Sequence, residues 1–298
     1  MQGALTLLAD AKINLGLDVL GRRPDGYHEL RMIMQTVTLS DVIALKVIPE
    51  NEVRLTASRR VTERPEQDLT YRAASLMRER FGIRDGVEIS VSKRIPAAAG
   101  LAGGSADAAA VLRGMDMLFG LGCGKEALAE LGLSLGADVP FCVYGGTKLA
   151  EGVGERLTSL PPLPRCAFVI VKPPVDVPTK HVFSELHVDS LPAGAHPDMD
   201  AALSAVRAGD VRRLAGTIGN ILETVTEREF PEIGDLKRAM LEQGAYGSLM
   251  SGSGSSVFGI FPGREEAERC ASYLRERSCG EVFVAEPSAE GGRILEGS

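Results

Sequence analysis

The chain has 298 residues, a hydrophobic fraction of 44% and a charged fraction of 24%, which is the composition of a globular protein of about two domains. Its formal net charge is -7. This balance argues against a general nucleic-acid binder, because such proteins carry a basic face that neutralises phosphates.

The cysteines and histidines also exclude some classes. The five cysteines are odd in number, widely spaced and without a C-x-x-C pair, and the four histidines lack ligand spacing, so neither a disulfide framework nor a zinc site is expected. The N-terminal segment has no basic region, and Asp10 and Lys12 interrupt its apolar run too early for a signal peptide. No stretch is long and apolar enough for a membrane span. We therefore expect a cytoplasmic protein with reduced thiols.

The first half of the chain predicts both strands and helices. Residues 5–20, 32–48 and 87–93 hold alternating apolar residues and predict strands, and residues 68–81 predict a helix. Pro24, Asp25 and Gly26 indicate a turn between the first two strands. A glycine-rich loop then leads into an alanine-rich amphipathic helix, and a short helix is predicted at residues 125–135.

The second half has a similar mixture. The prolines at 161, 162 and 164 mark the best domain boundary, giving domains of residues 1–160 and 161–298. Beyond it we predict a buried strand at 166–172, several helical segments within 198–244, a helix at 264–277 and a strand at 281–285. The tail from Glu286 is polar and glycine-rich, which is typical of disorder. Strands and helices mixed in both halves favour an α+β fold.

Two loops rich in small residues are candidates for ligand contact. The first contains Gly100 to Ser105 and opens a helix, where glycines allow close backbone approach and the helix start offers free amides to an anion. It matches neither G-x-x-x-x-G-K-[ST] nor G-x-G-x-x-G. The second, Ser251–Ser256, suggests another backbone segment pressed against a ligand. A packing turn and a flexible loop are the alternatives for the first and the second respectively.

A few polar side chains are candidates for chemistry. Asp138, among glycines and apolar residues, could act as an acid or base or pair with a cation, or simply cap a helix. Lys12 lies within the first strand and could neutralise phosphoryl charge, or be a solvated edge residue. Tyr27 and His28 follow a turn and could contact a planar ring.

Together these segments resemble the GHMP kinases. That pattern comprises an N-terminal strand, a P-x-x-x-G-L-[AG]-[GS]-S phosphate loop and a C-terminal Gly/Ser loop, and Pro96–Ser105 and Ser251–Ser256 match the last two in order. Residues 11–15 (AKINL), 23–30 (RPDGYHEL) and 136–141 (GADVPF) resemble the members that phosphorylate a cytidine diphosphate-linked methylerythritol in the non-mevalonate isoprenoid pathway. The resemblance runs from about residue 9 to about residue 262. Ala106 stands where a second serine is common, and residues 185–196 have no counterpart.

The resemblance implies a two-domain kinase with ATP and substrate in the cleft between the domains, with Mg²⁺ bridging the phosphates through ligands that stay unassigned. Asp138 would take the proton from the acceptor 2-hydroxyl beside Lys12. The substrate would lie against Asn14, Tyr27, His28, Thr179, Phe183 and Asn220. The ATP phosphates would contact what we call the phosphate loop, residues 96–106: Pro96, Ala97, Ala98, Ala99, Gly100, Leu101, Ala102, Gly103, Gly104, Ser105 and Ala106.

Other interpretations remain open on the sequence. A homoserine or mevalonate kinase shares the family pattern but not the GYHEL and GADVPF segments. A non-catalytic nucleotide- or RNA-binding module is a further alternative, and the acidic balance argues against RNA as its ligand. A purely structural protein would have no need for two separate glycine loops together with Lys12 and Asp138. We expect a small-molecule substrate, no nucleic-acid or membrane partner, and a monomer or weak homodimer.

Overall fold

The computed structural model describes residues 3–59 and 62–297. Their strands, in chain order, are β1 Ala4–Arg22, β2 His28–Ile48, β3 Val53–Ala57, β4 Gly86–Ser92, β5 Thr147–Gly152, β6 Arg156–Ser159, β7 Ala167–Lys172, β8 Gly219–Asn220, β9 Gly247–Met250, β10 Val257–Phe261, β11 Glu281–Ala285 and β12 Ile294–Gly297. The helices are α1 Leu69–Phe81, α2 Gly103–Leu118, α3 Gly124–Leu133, α4 Val139–Tyr144, α5 Thr179–Glu185, α6 Met199–Ala208, α7 Val211–Ala215, α8 Glu223–Glu229, α9 Pro231–Glu242 and α10 Arg264–Glu276.

The strands form two sheets. The larger has the order β12-β1-β2-β4-β3, with β5 also on β2, β6 on β5 and β8 on β1. The smaller has the order β11-β7-β10-β9, all antiparallel. Helices and mostly antiparallel strands in both parts confirm the predicted α+β class. No helix among the described residues is long and apolar enough to cross a membrane.

Strand β1 changes the face that it buries twice along its length. Leu5, Leu7 and Ala9 pack in the core that holds α2, whereas residues 11, 13 and 15 pack in a second core with β7 and β10. Register shifts between β1 and β2 occur at Asp10/Lys12 and at Asn14/Gly16, on either side of this exchange. Because a one-residue slip moves a strand's side chains to the opposite face, the two shifts turn Lys12 and Asn14 towards the α2 side.

The connection between the sheets passes through the predicted boundary. The prolines at 161, 162 and 164 lie between β6, in the larger sheet, and β7, in the smaller one. We retain the division near residue 160 as a proposal.

The expected disorder of the tail from Glu286 is wrong for the described residues up to Gly297. The tail returns to the larger sheet, where β12 pairs antiparallel with β1 through Leu5, Thr6 and Leu7. Its glycines let the backbone pass close to other chain segments. The prediction failed because, from composition alone, such glycines indicate flexibility.

Candidate active site

Strands of the larger sheet, together with loops and helices from both halves of the chain, enclose a cleft with two neighbouring cavities of about 610 and 1030 Å³. Both are lined by a shared set of side chains: Leu30, Ala137, Val153, Thr179 and Phe183. Cavities of this size suit a small ligand with a few placed polar groups. The two together form one elongated site.

The phosphate loop lies along the smaller cavity. Nine of its eleven predicted residues line the wall: Pro96, Ala97, Ala98, Ala99, Gly100, Ala102, Gly103, Gly104 and Ser105. Ala98 and Ala102 have φ of 49° and 55°, an unfavourable left-handed conformation for alanine of the kind that concentrates at ligand sites. The residue before α2, Ala102, offers no side-chain cap, so the first amides of this 16-residue helix face the cavity unpaired by a cap.

Leu101 and Ala106 correct that prediction, because both are buried and neither lines a described cavity. The carbonyl of Leu101 accepts a hydrogen bond from the Lys12 amide at 3.1 Å, and the Ala106 amide already donates to Ala102. These two residues join the loop to β1 and to its own helix.

The second loop, Ser251–Ser256, supports the first one from behind. Ser251 Oγ donates to the carbonyl of Gly100 at 2.9 Å and accepts from the Asn14 amide at 3.3 Å. The amide of Ser256 donates to the carbonyl of Ala99 at 3.3 Å. Of this loop only Gly252 and Ser253 line the cavity, so most of its small residues serve loop-to-loop contact.

Lys12 is not a solvated edge residue. It is 5% exposed in the middle of the larger sheet, and its Nζ donates to Asn14 Oδ1 at 2.6 Å. Both side chains line the smaller cavity. A buried ammonium at this position supplies a fixed positive charge to the cleft.

Asp138 lies in the wall of the same cavity, at the residue before α4. Its carboxylate makes no capping hydrogen bond to that helix, so the capping alternative does not account for it. A β-carbon built on nearby Gly136 would lie 4.0 Å from Ser105 Oγ, which places the segment leading to Asp138 beside the head of α2. A carboxylate that does not cap its helix, a buried lysine and a helix start therefore share one cavity.

A buried charge cluster that the sequence reasoning missed holds both ends of the phosphate loop. Lys93 Nζ, directly after β4, donates to Asp41 and, at 2.7 Å, to Asp107 in the second turn of α2. Asp41 Oδ1 also accepts from the Ile95 amide at 2.8 Å. Burial raises the pKa of Asp107 to about 8, against the opposing effect of the Lys93 ammonium. A strand-end lysine just before a glycine-rich loop was the available signal.

The larger cavity contains the aromatic residues that were predicted to hold a planar ring. His28 and Phe183 have ring centroids 5.1 Å apart with planes inclined by 33°, and Tyr27 is 66% exposed at the rim. Burial, and then the charge of Arg22, lower the pKa of His28. Thr179 Oγ1 lies 2.8 Å from Ser253 Oγ, where the two cavities meet. Residues 186–190, which had no counterpart, line the far wall.

Asn220 lies behind the Ser251–Ser256 loop and does not line either cavity, which corrects its predicted place in the substrate wall. Its Nδ2 donates to the carbonyls of Met250 and Gly252 at 2.9 and 2.7 Å, and its Oδ1 accepts from the Leu222 amide at 3.0 Å. The side chain is 6% exposed. Its side-chain amide joins the Ser251–Ser256 loop and the strand before it to the start of α8.

We expect Asn220→Ala to lower the free energy of unfolding by about 2–4 kcal/mol, because each buried group left without a partner costs about 1–3 kcal/mol. Urea unfolding followed by circular dichroism measures it. Asn220→Asp keeps the acceptor for Leu222 but sets a carboxylate against two carbonyls, so it should be at least as destabilising. A loss below about 0.5 kcal/mol, the scale of neutral surface changes, would rule out this role.

Comparison with known proteins agrees with this geometry. Family profiles described as GHMP kinases N terminal domain and GHMP kinases C terminal match residues 68–146 and 202–278. A 4-diphosphocytidyl-2-C-methyl-D-erythritol kinase from Lachnospira eligens is 46% identical over 95% of this chain and 98% of its own length. One from Geobacillus kaustophilus is 46% identical over 94% of this chain and 96% of its own.

Solved structures show the same relationship. A crystal structure of 4-(cytidine 5'-diphospho)-2C-methyl-D-erythritol kinase has a TM-score of 0.82 at 36% identity, covering 95% of this chain and 99% of that one. Homoserine kinase from Cytophaga hutchinsonii has a TM-score of 0.81 at 22% identity, covering 99% and 98%, which is a likeness of fold. The fold, the ordered loops and these identities together establish that the chain belongs to the GHMP kinase family.

Proposed function

We propose that the protein transfers the γ-phosphoryl group of ATP to the 2-hydroxyl of 4-diphosphocytidyl-2-C-methyl-D-erythritol, in the non-mevalonate isoprenoid pathway. The observation that carries the proposal is the elongated cleft, in which an uncapped helix start and Asp138 share one cavity and the His28–Phe183 ring pair lines the next. The two relatives described above are both named as kinases of this cytidylated alcohol.

The phosphates of ATP would bind at the start of α2. Amides at a helix start and a fixed ammonium stabilise the negative charge of a phosphoryl group in transfer. On the side of the cavity formed by β3, β4 and α1, Ala57, Leu69 and Val91 make an apolar wall next to Lys93, and we propose that the adenine ring lies there. This wall was not predicted from the sequence.

Asp138 would act as the base. The acceptor oxygen forms a bond to the γ-phosphorus as the bond between that phosphorus and the bridging oxygen of ADP breaks, and the hydroxyl proton passes to the Asp138 carboxylate. Lys12, oriented by its 2.6 Å hydrogen bond to Asn14, would balance the charge on the transferring group. Positioning and charge stabilisation supply most of the catalysis in this reaction class.

The residues of the cavity fit a magnesium ion that is held mainly by ATP. No group of three or more His, Cys, Asp or Glu side chains suited to a metal occurs among the residues that the structure describes. Magnesium commonly takes one or two protein oxygens together with phosphates and water. Ser105, in the first turn of α2, offers one such oxygen to the cavity. When bound, the ion would neutralise phosphate charge.

The cytosine ring would lie against the aromatic residues of the larger cavity. A neutral imidazole provides one donor and one acceptor for the polar edge of a pyrimidine, and Phe183 and Tyr27 offer faces for stacking. Thr179 would lie near the diphosphate, where the two cavities join.

We also propose a cytoplasmic location, where ATP is available, and a monomer or weak homodimer, which sedimentation analysis would test.

An acceptor panel tests the proposed function. Purified protein is assayed for ADP formation with ATP, Mg²⁺ and, in separate reactions, 4-diphosphocytidyl-2-C-methyl-D-erythritol, mevalonate and homoserine. We expect ADP formation with the cytidylated alcohol alone, and a product phosphorylated at its 2-hydroxyl. Turnover of homoserine or mevalonate without the cytidylated alcohol would transfer the protein to another branch of the family. ADP formation with none of them would favour the nucleotide-binding module.

The lowered pKa of His28 gives the proposal a pH dependence. The imidazole stays neutral below its ordinary pKa of 6.5, so the KM for the cytidylated substrate should remain flat from pH 8 to 6.5 and rise only in more acid solution. The KM for ATP should not follow this rise. In His28→Gln the acid rise should disappear. A KM that already climbs between pH 8 and 7 would show that the imidazole is not the group that senses pH.

A further inference from the structure

We propose that residues 286–293, between β11 and β12, form a positioning strap that keeps Lys12, α2 and α4 in mutual register, and that Arg113 fastens it. The inference rests on the proposed function, because it assigns the strap to the alignment of Lys12 and Asp138 for phosphoryl transfer.

The strap fills a gap in the larger sheet beside Lys12. Residues 37–39 of β2 have no partner on β1. They lie between the pair Asp10–Ser40 and the pair Lys12–Thr36. The Thr38 amide, within that stretch, donates instead to the carbonyl of Glu286 at 3.0 Å. The Ser288 amide donates to the carbonyl of Thr36 at 2.8 Å. The strap therefore supplies hydrogen bonds to β2, the strand that pairs with Lys12, over the stretch where β1 supplies none.

The strap also presses against α4, one turn after Asp138. A β-carbon on Gly291 would lie 1.8 Å from the carbonyl oxygen of Cys142, and one on Gly145 would lie 1.9 Å from the Gly291 amide nitrogen. The Cys142 amide in turn donates to the carbonyl of Asp138 at 3.1 Å. A six-residue helix is too short to be stable by itself, so its position depends on what packs against it.

Arg113 joins the strap to α2, the helix that begins at the phosphate loop. Its Nη1 donates to the carbonyl of Gly292 at 2.9 Å and its Nη2 to that of Gly291 at 3.3 Å. Both glycines are buried. Gly291 also bonds to β1, since the Asp10 amide donates to its carbonyl at 3.4 Å.

The three elements that carry Lys12, the phosphate-binding amides and Asp138 thus share one short segment of backbone. A shift of about 1 Å between reacting groups can cost on the order of 10²-fold in rate. The strap touches no cavity wall, so its displacement would disturb alignment before it disturbed binding.

The test uses four full-length variants. Arg113→Met removes both donors and Arg113→Lys retains a charge with one donor. Gly291→Ala adds a methyl at the Cys142 contact, without the penalty of a left-handed φ. Ala289→Ser is the matched control, adding one heavy atom to an exposed side chain of the same strap.

Four quantities are measured for each: kcat, the KM for ATP, the KM for the acceptor, and the rate of thiol labelling at Cys142, located by peptide mapping. Cys142 is buried and its pKa is raised by that burial, so it labels slowly while covered. We expect Gly291→Ala and Arg113→Met to lower kcat by ~10–100-fold with the KM for ATP nearly unchanged, and to speed Cys142 labelling. Arg113→Lys should recover part of kcat, and Ala289→Ser should match the wild type.

Either of two results would overturn the inference. One is fast Cys142 labelling with kcat within about twofold of wild type, since transition-state alignment would then not depend on the strap. The other is unchanged labelling and kcat in both Arg113→Met and Gly291→Ala. If the substrate proposal is wrong, the acceptor panel shows it with the wild-type protein, without any variant. The strap is judged by variant-to-wild-type ratios on whichever acceptor the wild type phosphorylates.

Discussion

Replacing Asp138 with asparagine should lower kcat by ~10²–10⁴-fold, the range for loss of one acid/base group. The side chain keeps its size and its place at the start of α4, but it can no longer accept the hydroxyl proton. ATP should bind almost as tightly as before, because in the proposed site its phosphates contact the α2 amides and the loop before them. Single-turnover kinetics, together with calorimetric titration of a non-hydrolysable ATP analogue, separate the two effects.

A useful comparison for Asp138→Asn is Asp138→Glu, which keeps the carboxylate but moves it by one methylene. It should retain more activity than the asparagine variant if proton acceptance is the lost function. If the asparagine and glutamate variants both turn over at near the wild-type rate, Asp138 has no part in the chemical step. A large loss of ATP affinity in that variant would instead make it a phosphate or metal contact.

Replacing Gly100 with alanine should separate the two loops of the site. Gly100 has a φ of 73°, and a β-carbon there would lie 1.9 Å from the carbonyl oxygen of Ser251. Left-handed strain and overpacking together should lower the free energy of unfolding by about 2–5 kcal/mol. Movement of the loop should weaken ATP binding by on the order of 10-fold or more, since about 1.4 kcal/mol of lost binding energy is tenfold.

Gly120→Ala is the matched control for Gly100→Ala. Gly120 has a φ of 61° in the turn after α2, and a β-carbon there would meet no atom within 4 Å. It should show the left-handed strain alone, about 1–2 kcal/mol, with unchanged ATP affinity. If the two variants behave alike in urea unfolding and ATP titration, the contact between the loops does not matter.

The chemistry-bearing loops could be predicted from the sequence because their signals are local. A glycine run that opens an alanine-rich helix predicts free amides wherever the chain folds. The joint order of that loop and Ser251–Ser256 then indicated the family, which the matching profiles confirm. Lys12 and Asp138 were singled out as residue types, and the structure places both in the wall of one cavity.

The remainder depends on contacts distant in sequence. The Asp41–Lys93–Asp107 cluster joins β2, the end of β4 and α2, and no spacing in the chain indicates that these carboxylates meet one ammonium. Asn220 looked like a cleft residue, but its amide is used by loop carbonyls 30 and 32 residues away. Short β3, β5 and β6 were not predicted, because a few apolar residues on strands of four to six residues carry little periodicity.

The tail shows the same limit from composition. Polar residues and glycines after Ala285 indicate disorder by average behaviour, yet Gly291 and Gly292 are there because other backbone passes within contact distance. Only the folded chain distinguishes a glycine that loosens a segment from one that allows close packing.

The most direct test of the whole account is a crystal structure of the protein with a non-hydrolysable ATP analogue and 4-diphosphocytidyl-2-C-methyl-D-erythritol. We predict the triphosphate at the amides that open α2, the cytosine ring stacked on Phe183 or Tyr27 with its polar edge at His28, and the Asp138 carboxylate about 2.6–3.2 Å from the acceptor 2-hydroxyl. A triphosphate bound away from that helix start, or an acceptor hydroxyl out of reach of Asp138 in the closed complex, would contradict it.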